Sequence, residues 1–313
     1  MSIAAPSDDP YIDAGTVSRS ISSASGGNFE SLVADPTAVT TIVTDDSDVT
    51  TVSITGPGSV AEGATAAYTV SLTSTAQTAV TVNLTYSGTA ADGSDFTGVA
   101  SVTILAGSSS ASFNIATLQD VLAEGAESFT VAIAGAGGGN FESLVVSGTN
   151  GSQATTIVDD DTPTIAVSAP TVTEGGLAVF TVSLSNVSTT AVVFTPTLSS
   201  GSATVGTDTA TALEYFDGST WQSVTGSVTI PAGQTSVQIR VATTDDVYAE
   251  GSETFSLTAT VSSGNTANAS AGGTATISDD SDTTTVTLAA TASVAEGGNI
   301  IYTATLGSRR RQR

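Results

Sequence analysis

Cysteine, histidine and lysine are all missing from these 313 residues. Without cysteine no disulfide can form, and without thiolate or imidazole the usual zinc and iron sites have no ligands. Triad proteases lose their customary base. The redox compartment stays open, because exported proteins can also do without disulfides. Aromatic residues are 5% of the chain, too few for one large core but enough for small sandwiches filled by Val, Ile and Ala. The six basic residues are all arginine, and four of them (Arg309, Arg310, Arg311, Arg313) stand in the last five positions. No stretch approaches the ~18–20 apolar residues of a membrane span, so membrane insertion is not expected. Met1 to Asp9 lacks the charged and apolar regions of a secretory leader, which predicts a fragment or export by another route.

What the chain does have is acid. Thirty Asp and Glu bring the net charge to −24. Such a surface repels nucleic acid and anionic membranes. It attracts hard cations, which prefer carboxylate and carbonyl oxygen.

The chain also repeats itself. Gly26-Gly27-Asn28-Phe29-Glu30-Ser31-Leu32-Val33 recurs unchanged from Gly138 to Val145. Ser59-Val60-Ala61-Glu62-Gly63 recurs as Thr171-Val172-Thr173-Glu174-Gly175 and as Ser293-Val294-Ala295-Glu296-Gly297. Asp120-Val121-Leu122-Ala123-Glu124-Gly125 recurs as Asp246-Val247-Tyr248-Ala249-Glu250-Gly251, with a looser copy from Asp9 to Gly15. Units close on Asp45-Asp46-Ser47-Asp48, Asp159-Asp160-Asp161 and Asp279-Asp280-Ser281-Asp282. The expected organisation is the back end of one repeat (1–46), two complete repeats (47–161 and 162–282) and the front of another (283–306). A non-repeat tail follows (307–313). The linkers are short and mostly Asp, unlike flexible Gly/Ser tethers.

Within each repeat, Tyr68, Val70 and Leu72 alternate with threonine and serine, as do Val80, Val82 and Leu84, and Phe129, Val131 and Ile133. Period-two patterning with β-branched residues predicts half-buried strands. Turn signals such as Ala106-Gly107 and Pro231-Ala232-Gly233 separate them. The fold class is therefore all-β: tandem seven-stranded antiparallel β-sandwiches, end to end. Phe29, Phe141, Phe129 and Phe255 are expected in cores. The insertion 209–224 reads as a polar loop. Its Trp221, with Tyr215 and Phe216, either packs locally or grips a glycan or protein.

The acids fall at strand ends. In a seven-strand sandwich alternate connections share an end, so Glu62, Asp95, Asp120 and Glu124 can meet at one pole beside the outgoing linker. Carboxylates ~5 Å apart repel by about 3 kcal/mol per pair at an effective dielectric near 20. A bare cluster would splay, and a Ca²⁺ ion with six to eight oxygen ligands reverses the sign. Solvated acidic linkers, turn-capping roles for Glu62, Glu174 and Glu296, and loop or strand roles for Glu30, Glu142, Glu127 and Glu253 are the bland alternatives.

Each complete unit resembles a Calx-β domain, through Ala61-Glu62-Gly63, Gly88-Thr89-Ala90 with Gly93-Ser94-Asp95-Phe96, Asp120 with Glu124 and Glu127, and Asp159-Asp160-Asp161. The flanking pieces resemble the immunoglobulin-like repeats of giant type I-secreted bacterial adhesins. The resemblance implies Ca²⁺ held by Glu62, Asp95, Asp120, Glu124, Asp159, Asp160 and Asp161 in the first unit. In the second it implies Glu174, Asp208, Asp245, Asp246, Glu250, Asp279 and Asp280. Asp45, Asp46 and Glu296 belong to the flanking repeats. Gln119 stands where the second unit has Asp245, which implies fewer ions in the first unit. Asp208 lacks the following aromatic and matches less closely.

The expected function is a non-enzymatic, extracellular spacer of a bacterial surface adhesin. Its partners would be calcium ions and neighbouring repeats, with any cell or surface target reached through other parts of the parent protein. A ligand-binding module and a calcium-sensing regulatory domain are the competing readings. A glycosidase would need one carboxylate pair in a cleft, whereas these acids recur in every repeat.

Overall fold

A computed structural model describes residues 2–307; residues 308–313, most of the expected tail, lie outside the description. Every regular element among the described residues is a β-strand, and no helix is long and apolar enough to cross a membrane. The chain divides into two compact units. One holds the residues up to 120 with 126–160, the other 121–125 with the residues from 161 onward.

The first unit opens with a two-stranded antiparallel sheet, β1 (Gly15–Arg19) and β2 (Val39–Val43). Ten strands follow: β3 (Val49–Thr55), β4 (Ser59–Ala61), β5 (Thr65–Leu72), β6 (Val80–Gly88), β7 (Phe96–Thr97), β8 (Ser101–Ile104), β9 (Ser110–Thr117), β10 (Glu127–Gly138), β11 (Ser143–Val146) and β12 (Ser152–Val158). They form two five-stranded sheets, in the orders β4-β12-β10-β6-β8 and β11-β3-β5-β9-β7. The alternating apolar residues point inward as their spacing predicts: Tyr68, Val70, Val80, Val82, Phe129 and Val131 are all buried.

The strand count exceeds seven partly because the first strand splits at Gly56-Pro57-Gly58. Its second half, β4, crosses to the opposite sheet and pairs parallel with β12. Proline has no N–H for a ladder, so a strand switches most cheaply there. Tyr68 pins the switch from the core. Its hydroxyl lies 2.5 Å from Thr155 Oγ1, which donates to the Pro57 carbonyl at 2.7 Å.

The second unit repeats the plan with β13 (Ile165–Val167), β14 (Thr171–Thr173), β15 (Leu177–Leu184), β16 (Val192–Ser200), β17 (Glu214–Phe216), β18 (Trp221–Ser223), β19 (Val228–Ile230), β20 (Ser236–Ala242), β21 (Glu253–Ser263) and β22 (Ser270–Ser278). Its sheets run β13-β15-β20-β17-β18 and β14-β22-β21-β16-β19. Here β14 switches sheets at Pro170 and pairs parallel with β22. Phe180 and Ala275 replace Tyr68 and Thr155, both fully buried. A hydroxyl and its partner are thus present together or absent together, as burial of polar groups requires. A final antiparallel pair, β23 (Val286–Ala290) and β24 (Tyr302–Leu306), stays exposed along its length.

Two expectations change. The insertion 209–224 is a β-hairpin, β17 with β18, joined to the sheet through Glu214 and Arg240. Trp221 packs locally: its ring lies 5.4 Å from Phe216, and the Arg240 guanidinium sits 4.2 Å above it while its Nε pairs with Glu214 at 2.6 Å. Phe129, Phe141 and Phe255 are buried, but Phe29 is 70% exposed. The segment around Phe29 forms no strand and lies in the chain between β1 and β2, which pair only with each other among the described residues.

Candidate metal-binding clusters

In the second unit the Glu-Gly turn after β14 sets the geometry. Gly175 has φ +72, and a Cβ there would lie 3.0 Å from the Asp245 Cβ. The glycine lets the turn close against Asp245. Glu174 then donates its N–H to the Ser278 carbonyl, and its Oε1 accepts the N–H of Asp246 at 3.0 Å. Asp208 is fixed by a tight turn, its Oδ2 accepting the Thr204 N–H at 2.6 Å. Glu174, Asp208, Glu250, Glu253 and Asp279 line one narrow cleft with Thr244 and Gly251. Beside it, Asp245, Asp280 and Asp282 place carboxylate oxygens within 4.8 Å of one another.

Crowding shows in the proton affinities. Glu174 is pushed from its ordinary 4.5 up to about 7, chiefly by burial, with Asp246, Glu250 and Asp279 adding and the Asp246 N–H opposing. Glu253 is raised by burial and then by Asp208, Glu250 and Asp246. Asp282 is raised by desolvation and then by Asp280, Asp245, Asp279 and Asp246. In each case burial disfavours the charged form first and neighbouring carboxylates add to it.

The first unit keeps the frame and changes two acidic positions, with Gln119 in the place of Asp245 and Thr162 in the place of Asp282. Gly63 has φ +68, and its turn closes against Gln119 instead of an acid. Glu62 Oε1 accepts the Asp120 N–H at 2.9 Å. Asp95 Oδ2 accepts the Ala91 N–H at 2.5 Å, and the Asp95 carbonyl accepts from Leu118. Asp208 makes the same pair of bonds with Thr204 and Thr244. The two aspartates are therefore equivalent, although Thr209 fills the buried place of Phe96. Gln119 Nε2 donates to Asp160 Oδ1 at 3.1 Å, so a neutral amide meets the closing acids. Asp159 follows β12 in the same unit. Glu124 lies in the segment 121–125, which belongs with the second unit, as does Asp161, whose carbonyl accepts from Asn186.

A third cluster sits at the start of the first unit. Asp8, Asp46 and Asp48 bring their oxygens within 4.8 Å of one another, and Asp8 is raised by Asp46 first and Asp48 second. Asp45 Oδ2 accepts the Asp13 N–H at 3.1 Å, and Asp13 is raised mainly by Asp9. Glu142 Oε2 caps the Asp48 N–H at 2.7 Å. Glu296 turns as its counterparts do, with Gly297 at φ +80, and stands in none of these acidic groups among the described residues.

Sequence reasoning left out Asp8, Asp48 and Asp282 and left Glu253 undecided. The signal was available in the repeats. Asp8 precedes Asp9 as Asp245 precedes Asp246, and Asp48 follows Asp46 as Asp282 follows Asp280. The two trios Asp8/Asp46/Asp48 and Asp245/Asp280/Asp282 are thus one arrangement made twice. At the corresponding positions around Asp160 stand Gln119 and Thr162. The donor set is all oxygen, from several loops, and fits a hard divalent cation such as Ca²⁺.

Residues 159–288 match the Calx-beta domain. Among solved structures, CBD12 from CALX1.2 is similar at 16% identity over 69% of this chain and 83% of its own, with a TM-score of 0.32. The apo-form Calx CBD1 domain is similar at 22% identity over 37% of this chain and 98% of its own, with a TM-score of 0.29. No curated protein matches the chain. The LapA domain matches residues 1–46 and again 48–160, together slightly more than half of the sequence, and the chain accordingly belongs to the LapA-domain family of bacterial adhesins.

Proposed function

We propose that this chain is a calcium-rigidified extender of a bacterial cell-surface adhesin, a stalk whose repeats hold a binding region away from the cell. The observation that carries the reading is the twice-made carboxylate trio at equivalent repeat positions, with raised proton affinities at Asp8 and Asp282. Repeats would run 1–46, 47–161, 162–282 and 283–306. In the second complete repeat Glu174, Asp208, Glu250, Glu253 and Asp279 would hold one ion, and Asp245, Asp280 and Asp282 a second. Asp8, Asp46 and Asp48 would hold another. Glu62, Asp95, Asp120, Glu124 and the acids from Asp159 to Asp161 would serve the first complete repeat, with Gln119 reducing its ion count. Bound calcium would neutralise the repulsion and fix the linker geometry. An affinity of ~10⁻⁴–10⁻³ M suffices outside a cell. The chain would act without catalysis, and its lack of cysteine suits passage through a type I secretion channel.

The test is small-angle scattering of the full chain with millimolar calcium and then with chelator. A larger, sharper maximum dimension in calcium supports the stalk; identical profiles refute it.

One observation favours a ligand-binding role for the second repeat. The hairpin leaves a groove of about 620 Å³ beside Tyr215 and Phe216, lined also by Gln234, Gln238 and Thr181. That volume is within the ordinary range of small-ligand sites. A glycan array probed with the full chain tests this role, and silence favours the spacer.

A further inference from the structure

The calcium reading leaves unexplained the longest verbatim repeat in the chain, Gly-Gly-Asn-Phe-Glu-Ser-Leu-Val at 26–33 and 138–145. The structure gives the second copy something to do. Gly138 and Gly139 are left-handed at φ +106 and +85, and Asn140 follows at φ +63, the one non-glycine with positive φ among the described residues. A Cβ on Gly138 would stand 2.2 Å from the Ala79 carbonyl oxygen, so only glycine fits there. The turn lifts Phe141 into a corner, where it is 6% exposed.

What closes that corner is the Asp-Pro-Tyr-Ile segment at 9–12. Tyr11 and Phe141 form an antiparallel bridge with their rings stacked, centroids 5.7 Å apart. The Ile12 N–H donates to the Asn140 carbonyl at 3.0 Å, and the Glu142 N–H to the Pro10 carbonyl at 3.1 Å. Tyr11 OH donates to the Thr75 carbonyl at 2.6 Å, and Asn140 Nδ2 to Gln77 Oε1 at 2.8 Å. None of these bonds uses a carboxylate that a cation would need. Tyr11 is presented by its own turn, its N–H donating to Asp9 Oδ1 at 3.0 Å.

The same turn is built again at 246–248. Tyr248 donates its N–H to Asp246 Oδ1 at 2.8 Å, as Tyr11 does to Asp9. Tyr248 is 43% exposed. Between these two, the segment 121–125 carries Leu122 at the tyrosine position. It docks on residues 187–189, the Ala123 N–H donating to the Val187 carbonyl and the Thr189 N–H and hydroxyl to the Ala123 carbonyl, while Asn186 Nδ2 donates to the Val121 carbonyl. In that unit Ala267 stands three residues after Gly264, the place that Phe141 takes three after Gly138. A tyrosine meets a phenylalanine, and a leucine goes with an alanine.

We infer that the Asp-x-Tyr turn and the Gly-Gly-Asn-Phe-Glu corner are the two halves of a metal-independent docking interface. The turn that exposes Tyr248 is its free half, and the partner is another repeat that carries the corner. This sets which kind of repeat can follow which, a property that calcium alone does not confer.

Hydrogen exchange of the full chain in EDTA tests it without calcium. In the parent chain Tyr11→Ala should speed exchange at Ile12 and Glu142 at least tenfold and leave Ala123 unchanged. Unaltered exchange at Ile12 and Glu142 overturns the interface. A second chain carries an added copy of residues 49–161 between Asp282 and Thr283, so that Tyr248 meets a corner with phenylalanine. Exchange across 247–250 should then slow at least tenfold, and Phe141→Ala in the added copy should abolish the slowing. No slowing, or slowing indifferent to that substitution, overturns the assignment of 246–250.

Discussion

Single side chains decide how each sandwich keeps its polar groups satisfied. Thr155 lies between the Tyr68 hydroxyl and the Pro57 carbonyl, and the second unit does without the whole relay by using Phe180 and Ala275. Thr155→Ala alone should cost about 1–3 kcal/mol, because it strands a buried hydroxyl. Adding Tyr68→Phe should recover part of that loss, and chemical denaturation of the two single variants and the double variant measures the coupling. Thr50 is fully buried, and its Oγ1 has no hydrogen-bond partner among the described residues. Thr50→Val keeps the branched shape and removes the hydroxyl, so denaturant stability should rise by about 1 kcal/mol. Glu174 supplies the pH dependence. Its carboxyl is raised from 4.5 to about 7, so in chelator its contribution to stability is present below pH 4.5 and is lost as pH rises to 7. Calcium binding needs the carboxylate and runs the other way, strengthening over the same window. Thermal melts in EDTA should fall with pH and in calcium should rise, and Glu174→Gln should flatten both.

At the scale of elements, the Glu-Gly turn is the part that brings distant loops together. Gly175→Ala puts a Cβ at φ +72 and against Asp245, a strain of about 1–2 kcal/mol. Calorimetry should show weaker calcium binding, because Glu174 and Asp246 move apart. The first unit differs by one residue at this turn. Its Gln119 amide donates to Asp160, where the second unit presents Asp245 beside Asp280. Gln119→Asp should raise the calcium stoichiometry measured by calorimetry and lower stability in chelator. A variant that lost chelator stability and gained no calcium would show that the amide has only a structural role.

For the whole molecule, net charge governs how stability responds to cations. A net −24 with only Arg19 and Arg240 outside the terminal arginines leaves little internal compensation. A cation at a hundredfold excess over its dissociation constant stabilises by about 2.7 kcal/mol per site. Melting temperature should therefore climb by several degrees between chelator and millimolar calcium. Sodium chloride at equal ionic strength should give a smaller rise, because screening weakens exposed repulsion without supplying ligands.

Alternation of Val, Ile and Tyr with Thr and Ser was enough to determine an all-β chain, since a period of two leaves a strand only one apolar face to bury. Repetition of Glu62-Gly63 and Asp120 was enough to mark which acids belong together. Tertiary structure decided the rest. Only the fold shows that Asp208 takes the turn of Asp95, because that equivalence lies in backbone bonds to Thr204 and Thr244 and not in the residue that follows. Only the fold exposes Phe29 and buries Phe141, although the eight-residue segments that hold them are identical. A local sequence specifies a turn, and whether its aromatic is buried depends on which strands and which neighbouring segment stand opposite.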